Sequence, residues 1–325
     1  MAKTYAMYVL CAYLIGCCIY VQSSSMEAVY EQNRGSLHGR VVVLDAGHGM
    51  VAQGIYRGGR FAGYYEAPRM LVLARFIQEK LESRGATVLM TRESREDVYL
   101  AKRPVMMNLW SMEALRQDRL FRLLGEIYYG AGCQLRIQEM IDELSEITEL
   151  IVLLHRILVN HEAYAPVYMN YPFDHYHETV IHPTWRRLFE FQADPMFRYN
   201  WLVISLHSNA GAPDSHNGAI VFYSSNTCRR NPVYFTEYSH VDATRLFGSM
   251  LLDGISRIGI RRRSLTSAGF MVIRENNLPS VLVENGHHTY TSDRLLLQCD
   301  EFLRRLALVY ADTIEAYFYR LQAGG

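Results

Sequence analysis

Charge of one sign is what this 325-residue chain lacks: 33 Lys and Arg face 33 Asp and Glu, for a formal net charge of +0. No basic stripe or nucleic-acid motif stands out, so no nucleic-acid partner is expected, because phosphate binding needs a local surplus of cations. The Arg261-Arg262-Arg263 run is short and reads as a solvated loop between a helix and a strand. Cysteine is scarce too. Of six, only Cys133, Cys228 and Cys299 lie beyond residue 25, an odd set without close spacing. That excludes a disulfide framework and a cysteine-built zinc site. Internal repeats and low-complexity tracts are absent, which excludes solenoids and disordered arrays.

Long hydrophobic runs are also missing, with one exception. Ala6 to Val21 is unbroken and apolar behind Lys3, the pattern of an export signal and short for a membrane span of about 20 residues. Residues 1–25 are therefore expected to be an export signal and 26–39 a polar tether. Leu14-Ile15-Gly16-Cys17 is similar to the lipobox of bacterial lipoproteins, which would make Cys17 a lipidated amino terminus and give a lipid anchor to a membrane. Cleavage after Ser23-Ser24-Ser25 is the alternative. Either route exports the chain to the periplasm or cell envelope.

What is present is an α/β rhythm. Val41-Val42-Val43-Leu44 is a run of branched aliphatics, the mark of a buried strand, and it closes on Asp45-Ala46-Gly47-His48-Gly49. The loop to Gly63 leads into Tyr65-Glu66-Ala67-Pro68, with proline near a helix start. Leu71, Ala74, Ile77 and Leu81 then recur at helical spacing until Arg84-Gly85. Ala86 to Thr91 is a second strand. This β-α-β unit implies a right-handed crossover in a parallel sheet. Glu66 falls at the helix start, where unpaired amides favour a carboxylate whether or not a metal is near.

Residues 105–199 break the rhythm. Ser111–Ile127 and Leu135–Leu158 have helical spacing, Ala163–Pro183 is a loop rich in Tyr, His and Pro, and Thr184–Phe191 is a short amphipathic piece. They read as a mostly helical insertion, and His175, His177 and His182 within it as polar surface. The α/β pattern resumes at Trp201-Leu202-Val203-Ile204-Ser205-Leu206-His207-Ser208-Asn209. Strands are expected at Gly218–Tyr223, Gly269–Arg274 and Ser280–Val283, and helices over Val241–Ile258 and Ser292–Leu321. The expected fold is a mostly parallel twisted α/β sheet flanked by helices, interrupted at 105–199, within a catalytic domain over 40–322.

Three strands thus end in His48, His207 and Glu284, with Glu66 following the His48 loop. Open α/β sheets keep their ligands at the carboxyl ends of strands. If these strands are parallel neighbours, the four side chains converge there. Two imidazoles with one carboxylate form a common ligand set for catalytic zinc, and the other carboxylate suits proton transfer. Asp45 and Ser205 are placed to orient ligand histidines.

Asp45-x-Gly47-His48-Gly49, Glu66, Thr91-Arg92, Ser205-x-His207-x-Asn209 and Glu284-x-Gly286 occur in the order found in the zinc-dependent N-acetylmuramoyl-L-alanine amidases, and the chain resembles that amidase-3 family over about 40–104 and 200–320. The resemblance implies His48, Glu66 and His207 as zinc ligands, Glu284 as catalytic acid/base, Asn209 as a substrate contact, and peptidoglycan as substrate. Arg92 and Arg103 occupy family positions and read as structural. Met50 stands where a second glycine is usual, Gly286-His287-His288-Thr289-Tyr290 departs from the family pattern, and the insertion is larger than usual. By analogy with envelope amidases whose inserted helix covers the zinc until an activator protein moves it, residues within 133–160 are the expected plug. Two other readings follow from the same residues. One is a zinc hydrolase of another envelope amide, suggested by His287-His288. The other is a catalytically silent wall-binding protein.

Overall fold

Strand β1 (Val41–Ala46) begins a computed structural model that describes residues 36–51, 54–129, 134–160, 183–225 and 238–323. The expected export signal with Cys17, residues 26–35 of the expected tether, Cys133, Cys228 and the three loop histidines lie outside the described residues. Two small hairpins follow β1: β2 (Met50–Val51) with β3 (Ile55–Tyr56), and β4 (Arg60–Phe61) with β5 (Tyr64–Tyr65). Then come α1 (Glu66–Glu82), β6 (Thr87–Met90), α2 (Lys102–Tyr129), α3 (Gln134–Val159), α4 (Pro183–Gln192) and α5 (Pro195–Asn200). The chain ends with β7 (Trp201–Asn209), β8 (Ala219–Tyr223), α6 (Val241–Ser256), β9 (Arg262–Ser267), α7 (Met271–Arg274), β10 (Ser280–His287), α8 (Thr291–Gln298) and α9 (Asp300–Gln322).

Six strands form one sheet in the order β6-β1-β7-β10-β8-β9. The first four run parallel, and β8 is antiparallel to β10. Side chains alternate across a strand, and the aliphatic runs are buried on both faces. Val42, Leu44, Leu202, Ile204, Val281 and Val283 join α1, α6 and α9 in one core. Val43, Val203 and Leu282 point the other way and share a second core with Val105, Leu115, Leu154, Trp185 and Phe189. The insertion is therefore largely helical, and it covers one face of the sheet.

Three local expectations are corrected. Gly269–Arg274 holds the short helix α7, not a strand. Its apolar residues Val272 and Ile273 are buried, and so short a run cannot separate strand from helix by periodicity. The triple-arginine stretch runs into edge strand β9, paired with β8. Edge strands tolerate charge, which hides them from an apolar-run test. The long carboxyl-terminal helix is broken at Cys299, which is extended (φ -84, ψ 120), and Arg69 bonds both sides of the break, at Leu297 O (2.9 Å) and Asp300 (2.7 Å). Leu37, near the end of the expected tether, is buried in the first core. Among the described residues no helix is long and apolar enough to cross a membrane.

Candidate metal centre

Past β1 the chain turns at Gly47, and His48 takes the left-handed backbone region (φ 57), a conformation that a non-glycine residue holds only against strain. Two buried arginines clamp this turn through its carbonyls. Arg103 donates to His48 O (2.7 Å) and Ala46 O (2.9 Å), and Arg92 to Ala46 O and Gly47 O (both 3.2 Å). A side chain at Gly47 would run into the His207 ring, and one at Gly58 (φ 86) into the His48 ring. The two imidazoles can therefore pack edge to face, with centroids 4.8 Å apart.

The register of the parallel pair β7–β10 sets Glu284 beside His207. Glu66, the first residue of α1, reaches both histidines: its Oε1 lies 3.0 Å from His207 Nδ1 and 3.3 Å from His48 Nε2. Backbone amides fix the same carboxylate, Ser208 N at 3.1 Å on Oε1 and Gly59 N at 2.6 Å on Oε2. Burial alone would raise the Glu66 pKa. Hydrogen bonds from His207 and His48 outweigh it and hold the group below the ordinary carboxylate range. Glu284 has the opposite balance. Burial pushes it up to about 7, offset only in part by His207. Among the described residues its buried Oε2 has no hydrogen-bond partner.

His48, Glu66 and His207 offer one ligand atom each within 4.8 Å of one another. Two imidazole nitrogens and a carboxylate oxygen, carried by strand ends and a helix start, suit a borderline divalent metal. The orphaned oxygen of Glu284 beside this trio is the second indication, because a buried carboxylate without a donor is poised to take a proton. A cleft of about 350 Å³ opens over His48, His207 and Glu284, walled by Arg57, Leu100, Phe270 and Met271.

The other expected residues make contacts of their own, and of them Asp45 lines the cleft. Asn209 is not among the residues lining this cleft, and its amide oxygen accepts from Ala210 N (2.8 Å). Asp45 does not hold a histidine. It accepts from Thr91 (2.5 Å), Ser205 (2.6 Å) and Arg103 (2.7 Å), cross-linking strand ends. Burial pushes Asp45 up, but Arg103 and the two hydroxyls bring it down to about 2. His287 and His288 are buried rather than facing substrate. His287 Nδ1 is 3.0 Å from Gly218 O, and His288 stacks on Tyr64 with Nδ1 3.1 Å from Ser208 Oγ. The suggestion of a different amide substrate thereby loses its motive. The expected plug is corrected as well: among the described residues, none from 134–160 lines the cleft. The apolar stripe Ile147, Leu150, Ile151, Leu154 and Ile157 is committed to the second core. Sequence reasoning missed Tyr64, Ser208, Gly58 and Gly59. The Gly58-Gly59 pair was the available signal, because adjacent glycines often mark a close approach.

The family model for N-acetylmuramoyl-L-alanine amidase (Amidase_3) matches residues 42–115 and 198–316. N-acetylmuramoyl-L-alanine amidase LytC of Bacillus subtilis is 28% identical over 117 residues, 36% of this chain and 21% of that protein. The uncharacterized protein YqiI of the same organism is 26% identical over 117 residues, 36% of this chain and 51% of its own. The matches thus span about a fifth and about half of these relatives. The crystal structure of the N-acetylmuramyl-L-alanine amidase Ami1 from Mycobacterium smegmatis superposes with a TM-score of 0.51 at 15% identity, covering 87% of this chain and 99% of that one, and so shares the fold.

Proposed function

The chain belongs to the Amidase_3 family of N-acetylmuramoyl-L-alanine amidases, and from that premise we propose that it is an exported zinc-dependent hydrolase of peptidoglycan. It cleaves the amide between N-acetylmuramic acid and L-alanine. The observation that carries this reading is the meeting of His48, Glu66 and His207 around one point with Glu284 alongside.

In this reading His48 and His207 supply ring nitrogens and Glu66 a carboxylate oxygen to zinc. When held there, zinc would supply Lewis acidity, making water easier to deprotonate and stabilising negative charge on a carbonyl oxygen. The rest is done by side chains. Glu284, kept near neutrality by burial, takes the proton of the attacking water and returns it to the leaving nitrogen of L-alanine. Arg103 and Arg92 hold the strained His48 turn so that its ring need not reorganise. Phe270, Met271 and Leu100 form an apolar wall that positions the scissile amide and limits water. Export rests on Lys3 with Ala6–Val21, and a lipid anchor on Cys17 within Leu14-Ile15-Gly16-Cys17.

Digestion of purified wall tests the reaction. New amino termini on L-alanine should accumulate, and a chelator should stop them. Reducing sugar ends instead, or turnover indifferent to chelation, would refute it.

A further inference from the structure

Helix α2 starts at the cleft edge of the sheet, where Arg103 bonds the His48 turn. It then runs to the opposite edge, where Arg119 pairs with Asp194, the cap of α5 just ahead of β7. Arg119 also bonds Glu143 of α3 (2.9 Å), so both helices pass this level and continue. At 1.5 Å per residue, Tyr129 and Leu135 lie roughly 12–15 Å beyond it. This projecting end is apolar outside. Leu120 (46%), Phe121 (76%), Ile127 (46%), Tyr128 (67%), Tyr129 (81%) and Leu135 (70%) are exposed. Residues 120/127 and 121/128 stand two turns apart, so they share one face. The only charges from 123 to 138 are Glu126 and Arg136, paired at 2.6 Å.

The amino-terminal segment enters at this same edge. Ser36 is the first described residue, and Leu37 N bonds Arg84 O (2.9 Å) in the loop ahead of β6. Arg40 donates to Tyr199 O (2.9 Å) and to Asn200 of α5, whose capping residue is Arg119's partner. The eighteen residues 18–35 can span at most about 65 Å, ample to bring Cys17 level with the tip. We propose that the exposed ends of α2 and α3 rest on the lipid surface to which Cys17 anchors the amino terminus, turning the cleft away from the bilayer and toward the wall. A neutral tip with two tyrosines suits the headgroup boundary, where an aromatic body is buried and its hydroxyl stays wet.

The test uses the full chain in phosphatidylcholine vesicles, with one tryptophan added by Tyr129→Trp or, on α8 beyond the opposite edge, by Leu295→Trp (60% exposed). The added emission at 129 should shift to shorter wavelength and be quenched by brominated acyl chains, independently of salt, while that at 295 should do neither. In a Tyr128→Ser, Leu135→Ser background the quenching at 129 should be lost. Equal behaviour at 129 and 295 overturns the proposal. So does a shift at 129 that appears without lipid and follows protein concentration, because a second copy would then cover the tip. The bilayer's place rests on the amino-terminal attachment proposed above. Neither readout requires turnover, so failure here leaves the amidase reading untouched, and the reverse also holds.

Discussion

Behind the two ligand imidazoles Glu66 is held by both rings and by two backbone amides. Glu284, beside His207 on the neighbouring strand, keeps a buried oxygen with no donor among the described residues. Same side chain, same sheet edge, opposite protonation tendency: the first lies below the ordinary carboxylate range and the second is raised to about 7. Burial raises both, so the count of donors decides. A carboxylate locked in its charged form suits a cation, and one poised between forms suits proton transfer.

The largest expected effect sets the two sides apart. Glu284→Gln should lower kcat by roughly 10²–10⁴-fold, the range for general acid–base groups, with zinc content by mass spectrometry unchanged. Glu66→Gln should lose the metal as well as the turnover. If both substitutions shed zinc alike, the division of labour between the two carboxylates is wrong.

A pH series on the metal-free protein probes the same contrast through stability. Folded Glu284 holds a proton up to about 7, whereas the unfolded chain releases it near the ordinary glutamate value of 4.5. Between those values the folded state binds more protons, so stability falls as pH rises and levels off above 7. Relative to Glu284→Gln, the loss should reach on the order of 3 kcal/mol, read from denaturant midpoints at several pH values. A flat difference would show that Glu284 is better solvated than its burial suggests.

The smallest effect lies behind Glu66. Ser208, whose amide bonds that carboxylate, is bonded in turn by Tyr64 (2.9 Å) and His288 (3.1 Å). His288→Ala should weaken zinc binding by about tenfold, the lower end for outer partners of a metal ligand, measured by competition with a chelating dye. Metal affinity unchanged in that variant would make the Tyr64–Ser208–His288 group mere packing.

Much of this is legible in the sequence. Val41–Leu44 and Trp201–Leu206 are strands on pattern alone, and a polar residue at the end of an aliphatic run marks a strand's carboxyl edge. What stayed hidden was where neutral-looking residues would go. The His287-His288 pair suggests chemistry in the sequence, yet the fold buries both rings in local hydrogen bonds. The expected plug failed for a related reason. Periodicity shows that α3 has an apolar stripe without showing which surface will take it, and here the second face of the sheet does.

Around the site, the order of strand, turn and helix, and the presence of two histidines and two carboxylates at their junctions, were settled by the sequence itself, because backbone periodicity and turn chemistry act within a few residues. Which carboxylate would be clamped and which left without donors was decided only by tertiary packing. That choice depends on Gly59, Ser208 and both imidazoles arriving from distant parts of the chain at a single point, and no local rule encodes such a meeting.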